Sequence, residues 1–258
     1  MDRQDGRMDF DALLAQAQAA PVDGWDFSWL AGRATEQRPS WGYARLMAQR
    51  MARSRVALDV QTGGGEVLAT APRLAPLTVA TEGWPPNLAR AARLLGPRGV
   101  AVLAHGEDRF PFRDSVFDLV VSRHPVRTQW PEIARVLAPG GTYLSQEVGP
   151  ASVFELVEFF LGPQPEHVRD GRHSRWTRRG AHDAGLEVLD LRTERLRTEF
   201  HDIGAVVFFL RKVIWMVPDF TVDGYRDTLR RLHDRIQADG PFLAHTTRTL
   251  VEARKPAG

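Results

Sequence analysis

Phe10, Leu13, Leu14 and Ala17 recur at helical spacing and predict a helix over residues 8–20, stopped by Pro21 and Gly24. After an aromatic-rich stretch (Trp25, Phe27, Trp29, Trp41, Tyr43) a second helix is expected over 43–53. The pattern then changes period. Apolar runs at 55–60, 77–81, 100–104, 117–122 and 142–148 are strand-sized. Helical patterns separate them at 66–70, at 85–95 with Asn87, Arg90 and Arg93 on the wet side, and at 131–137, where Ala138-Pro139-Gly140-Gly141 ends the helix. Beyond residue 150, helices are expected at 151–161 and 174–184 and a long strand at 186–200. An apolar helix at 203–216, an amphipathic helix at 222–238 (Tyr225, Leu229, Leu232, Ile236) and a last strand at 246–253 complete the chain.

Strands alternating with helices predict an α/β fold with a mostly parallel sheet covered on both faces. Ligands of such sheets sit beyond the carboxyl ends of the strands. The expected organisation is an N-terminal helical cap over 1–54 and a main domain over 55–258, with a helical insertion at about 201–240 before the last strand forming a lid.

Composition narrows the classes. The 258 residues are 43% apolar and 26% charged, enough for a sizeable core without staples. There is no cysteine, which excludes disulfides and thiolate catalysis and suits a reducing cytoplasm. No metal site is expected: the histidines lack ligand spacing. The start is polar, and no apolar run is long enough to span a bilayer, so no membrane partner is expected. With 34 basic and 32 acidic residues the net charge is +2, too balanced to argue for nucleic acid.

Chemistry concentrates at strand exits. Asp59-Val60-Gln61-Thr62-Gly63-Gly64-Gly65-Glu66 is a glycine loop between a strand and a helix, where free amides can meet an anion. Glu82 follows the next strand, placed to accept two ribose hydroxyls. A dinucleotide dehydrogenase would share both features, but its third small residue is Leu68 here.

Two downstream segments resolve the ambiguity. Phe110-Pro111-Phe112-Arg113-Asp114-Ser115-Val116-Phe117-Asp118-Leu119-Val120 and Glu132-Ile133-Ala134-Arg135-Val136-Leu137-Ala138-Pro139-Gly140-Gly141, in this order, resemble class I S-adenosylmethionine-dependent methyltransferases. The resemblance covers residues 41–149. It implies a Rossmann-like seven-stranded sheet with an antiparallel last strand and S-adenosyl-L-methionine across the ends of the first four strands. Carried over, it sets the cofactor against Tyr43, Asp59, Gln61, Thr62, Gly63, Gly65, Glu82, Gly106, Glu107, Asp108 and Ser122. Two positions depart from the family: Gln61 replaces the first loop glycine, and Gly106 a common aspartate. If position 61 needs positive φ, the side chain costs about 1–2 kcal/mol.

The resemblance implies methyl transfer to an O, N or C atom of a small-molecule acceptor. His124, just after the fourth strand, is the expected base, with Arg123 holding an acceptor anion. Glu147 ends the fifth strand and is a candidate for the pocket wall, as is His201-Asp202. His105 ends the third strand, whereas His167, His173 and His182 read as solvent-facing. Trp41, Tyr43, Phe208, Phe209 and Trp215 read as lid or core. Two rivals are RNA methylation, suggested by Arg169, Arg172, Arg175, Arg178 and Arg179 around Trp176, and a cofactor-binding protein without methyl transfer. A monomer or homodimer is expected.

Overall fold

A computed structural model describes residues 9–22, 24–105 and 109–257. In chain order its elements are α1 (Phe10–Ala19), β1 (Ala34–Glu36), α2 (Tyr43–Met51), β2 (Val56–Val60), α3 (Glu66–Ala69), β3 (Leu77–Glu82), α4 (Pro85–Leu95) and β4 (Ala101–Ala104). There follow β5 (Phe117–Arg123), α5 (Trp130–Val136), β6 (Leu137–Val148), α6 (Phe154–Leu161), α7 (Glu166–Arg169) and α8 (Ser174–Asp183). The chain ends with β7 (Glu187–Phe200), α9 (Ile203–Lys212), α10 (Arg226–Asp239) and β8 (Phe242–Arg254).

The chain divides into two compact units. One comprises Arg38–Ser152, Arg169–Arg195 and Thr247–Gly258; the other comprises Met1–Gln37, Val153–Val168 and Leu196–Thr246. In the first, strands are ordered β7-β8-β6-β5-β2-β3-β4. The β2–β3, β3–β4, β2–β5 and β5–β6 pairs are parallel, and β8 runs antiparallel to β6. Strand alternation feeds two cores. Ala57, Leu119, Val121, Leu144 and Leu250 enter one with Met47 and Leu95; Leu58, Val60, Val120, Tyr143 and Val251 enter the other with Ile133 and Val136. Gly65 (φ 85°) closes α4 onto this sheet, because a Cβ there would come within 2.8 Å of Leu95 Cδ1.

The second unit has its own core. Phe10, Leu13, Leu14 and Ala17 of α1 pack with Ile203, Val206, Val207 and Leu210 of α9 and with Leu229, Leu232 and Ile236 of α10. Phe208 stacks on Trp29 with centroids 4.9 Å apart, so it is core here, while Trp215 stays exposed. Asp202 caps α9: Oδ1 accepts from Ala205 N at 2.9 Å, and Oδ2 accepts from Arg33 Nε at 2.9 Å.

Five expectations need correction. There are eight strands among the described residues, not seven: the three-residue β1 pairs antiparallel with the end of β7, Ala34 opposite Phe200. Asn87, expected on the wet side of α4, is 3% exposed, because it lies one turn from Ala91 on the buried stripe. The apolar helix stops at Lys212, and β8 begins at Phe242, whose ring enters the second unit's core. The helix expected from 151 starts at Phe154, since Ala151 and Val153 take positive φ of 47° and 63°.

Candidate functional site

The exits of β2 and β3 are laced together by backbone and carboxylate. Thr62 N donates to Thr81 O at 2.9 Å, and Gly63 N donates to Glu82 Oε2 at 2.7 Å. Glu82 Oε1 accepts from Trp84 N at 2.9 Å. Each carboxylate oxygen has a second lone pair, so Glu82 shapes the glycine loop and keeps acceptor capacity. Asp59, buried at the end of β2, accepts from Thr62 Oγ1 at 2.6 Å. Burial pushes its carboxyl up to about 7 despite that bond, with the Glu82 charge adding to the rise.

At β5, Ser122 Oγ donates to Val60 O at 2.8 Å, and Tyr43 OH donates to Ser122 O at 2.8 Å. Tyr43 is thus a buried strut from α2 to the strand exit, and burial, with Asp59 nearby, raises its phenol well above its ordinary range. Gly106, Glu107 and Asp108 lie outside the described residues. His105, one residue before them, donates its backbone N–H to Glu82 O at 3.0 Å. Its ring meets Phe110 edge-on, and its buried Nε2 has no hydrogen-bond partner among the described residues.

Gln61 does take positive φ, 56°. Its side chain offsets the strain: Nε2 donates to Arg127 O at 3.0 Å, and Oε1 accepts from Val126 N at 2.7 Å. The residue at the first loop-glycine position therefore latches the glycine loop to the segment after β5. His124 starts that segment, also with positive φ (54°). Its N–H donates to Gln146 O at 2.7 Å, and its Nε2 lies 3.0 Å from Gln146 Nε2. Burial, then Arg123, Arg248 and Arg172, hold its imidazole well below the ordinary histidine range, so it is neutral at pH 7. Arg123 is exposed.

Beyond β5 and β6 lies a cavity of about 390 Å³, walled by the 125–130 segment, the end of β6 and residues 171–177. Glu147 faces it, its two oxygens accepting from Thr128 Oγ1 and Thr177 Oγ1, each at 2.8 Å. Burial raises the Glu147 carboxyl, while the two threonines and the Arg172 charge oppose the rise. Trp130 and Trp176 supply aromatic walls, and Arg127 and Arg172 supply charge. Trp130 is seated edge-on against Tyr143 (5.3 Å) and over Gly180, where a Cβ would come within 2.3 Å of the indole Cδ1. His173 is half-buried rather than solvent-facing: it lines the cavity and caps α8, its Nδ1 accepting from Arg175 N at 3.1 Å.

Several motif residues are scaffold. Arg135 binds Glu132 at 2.6 Å, Asp114 at 2.7 Å and the carbonyls of Phe110 and Phe112, while Asp118 accepts from the N–H groups of Arg55 and Val56. The 169–179 arginines are partly neutralised: Arg175 pairs with Asp170, and Arg179 lies 3.5 Å from Asp183. Sequence reasoning missed Gln146, Trp130 and the Arg172–Trp176 wall as site residues. A polar residue inside an apolar strand was the available signal for Gln146. For Trp176 it was an aromatic among the closely spaced arginines at the start of α8.

Residues 58–145 match the family model described as a methyltransferase domain. No curated protein matches the sequence. Among solved structures, a Bacillus halodurans C-125 protein provisionally assigned as a methyltransferase has 20% identity and a TM-score of 0.60, covering 84% of this chain and 100% of its own. The [4+2]-cyclase SpnF has 20% identity and a TM-score of 0.52, covering 96% of this chain and 93% of its own. Geranyl diphosphate methyltransferase, solved with GPP and sinefungin, has 12% identity and a TM-score of 0.50, over 82% of this chain and 76% of its own. At these identities the likeness is one of fold.

Proposed function

We propose that this chain, whose residues 58–145 match the methyltransferase-domain family model, is a class I S-adenosylmethionine-dependent enzyme that transfers a methyl group from S-adenosylmethionine to an O, N or C atom of a small molecule. One observation carries the reading: along a single sheet edge, the glycine loop and Glu82 stand at the β2 and β3 exits, and the Glu147 cavity stands beyond β5 and β6. The residues fit the cofactor. His105 offers a buried nitrogen with no hydrogen-bond partner among the described residues where β4 ends, beside Glu82, and the Gly63–Gly65 loop turns into α3.

Gly63 and Gly65, which let the backbone pass close to a ligand, would border the amino-acid end, Glu82 would hold the ribose, and His105 with Glu107 and Asp108 the adenine. When bound, S-adenosylmethionine supplies an electrophilic sulfonium methyl, so the protein's main task is to place the acceptor about 3–3.5 Å from it. His124, neutral with its Nε2 already accepting, serves better as an Nδ1–H donor that orients the acceptor than as the base first expected. Arg123 would offset acceptor charge from the β5 exit. Among the described residues no helix is long and apolar enough to cross a membrane, and no cluster of three His, Asp or Glu side chains suits a metal. The cysteine-free composition supports a cytoplasmic setting.

Calorimetry with S-adenosylmethionine and its demethylated product is the test, followed by transfer of labelled methyl to small molecules and to RNA. Binding of neither cofactor form overturns the proposal. Label in RNA, or cofactor binding without transfer, would install one of the two rivals instead.

A further inference from the structure

Accepting the methyl-transfer reading, we infer that the cavity beyond β5 and β6 is the acceptor pocket, and that it takes a flat aromatic carboxylate bearing a hydroxyl group. Its volume, about 390 Å³, suits one or two fused rings. Trp130 and Trp176 form its aromatic walls, and indole faces favour flat partners. Arg127 and Arg172 both line it, and a guanidinium fork matches a carboxylate in two parallel hydrogen bonds.

Glu147 supplies the third recognition element. It is held in place by Thr128 and Thr177, and each oxygen keeps a lone pair for an incoming donor. A hydroxyl can donate to it, whereas a second carboxylate would be repelled. The pocket thus reads two ends of one molecule: the arginines bind the anion, and Glu147 binds the hydroxyl. Trp176 donates its indole N–H to Asp170 O at 3.2 Å and lies against the Arg175 guanidinium (4.9 Å), so this wall is braced without a ligand.

The full-length protein is titrated calorimetrically with 2-, 3- and 4-hydroxybenzoate, and with 4-hydroxybenzyl alcohol and 4-methoxybenzoate as probes lacking one feature each. At least one hydroxybenzoate should bind. Removing its carboxylate or its hydroxyl should weaken binding about tenfold, as expected for one lost charge-assisted contact. Arg172→Gln and Trp176→Ala, both at exposed positions, should weaken it about as much, and Glu147→Leu, which removes the acceptor, should abolish the preference for hydroxyl over methoxyl. Absence of binding by all three hydroxybenzoates, or affinities untouched by Arg172→Gln and Trp176→Ala, would overturn the inference. The same samples are titrated with S-adenosylmethionine. Cofactor binding without hydroxybenzoate binding removes the pocket assignment alone; the reverse result removes the methyl-transfer reading and leaves the pocket.

Discussion

The Trp41 indole nitrogen donates to Gln146 Oε1 at 2.8 Å, and this bond sets the proton on a third residue. An indole N–H only donates, so the Gln146 amide must turn its oxygen to Trp41 and its NH₂ to His124 Nε2, 3.0 Å away. His124 Nε2 therefore accepts, and the ring proton sits on Nδ1. Nitrogen-15 NMR at pH 7 should show an unprotonated Nε2. In Gln146→Leu, where nothing holds that nitrogen, the spectrum should shift toward a tautomer mixture. A protonated Nε2 in the parent protein would refute the assignment.

Glu82→Ala should affect both stability and ligand affinity. Two backbone N–H groups, Gly63 and Trp84, lose their acceptor, which costs about 1–3 kcal/mol in urea unfolding. Affinity for S-adenosylmethionine should fall at least about tenfold if Glu82 makes the proposed ribose contact. Lost stability with unchanged affinity would make Glu82 a loop brace only.

Asp59 makes a pH-dependent contribution of known sign. Its folded-state value of about 7 lies above the ordinary 3.8, so the native state holds a proton that the unfolded state releases. Its contribution is present below about pH 4 and is lost as pH rises toward 7, by a few kcal/mol at most. Asn mimics the protonated form. Urea unfolding of Asp59→Asn and the parent at pH 5 and pH 8 should show the variant gaining relative stability at the higher pH. His124, whose shift acts oppositely, is common to both proteins and cancels. An equal difference at the two pH values would show that Asp59 is ionised throughout.

Gln61 can be separated into strain and latch. Gln61→Ala keeps the positive φ and loses both side-chain bonds, which should cost about 1–2 kcal/mol. Gln61→Gly loses the same bonds but relieves the backbone, so its stability should stay near the parent's. In both variants, hydrogen exchange at Val126 should accelerate, because its N–H loses its acceptor. Unchanged exchange there would mean the latch does not hold the cavity wall.

Much of the first unit was legible. Strand runs and helix periods gave β2 to β5 to within a few residues, while β6 starts at Leu137, five residues before the expected run and through the segment read as a turn; the glycine loop and Glu82 were singled out as a pair because both are fixed by local strand-to-helix turns. Three things escaped. β1 has only three residues and exists through its pairing with β7, a partner more than 150 residues away that no local pattern announces. Asn87 is polar by type but buried by its place on the helix. The cavity is assembled from stretches around Thr128, Glu147 and Trp176, which only the fold brings together. His124 was singled out correctly as a strand-exit residue, but its tautomer depends on Trp41 and Gln146, far from it in sequence.

Gly180 is not on the cavity surface, yet it lies beneath the Trp130 indole with no space for even a methyl group. If the cavity takes the acceptor as proposed, a caliper for ligand size is set by a helix position that no ligand would touch. Drift from glycine to alanine there would shift the indole and alter which molecules can enter, with Glu147 and both arginines unchanged. Related chains could diverge in substrate range by this route while every gripping side chain stayed the same.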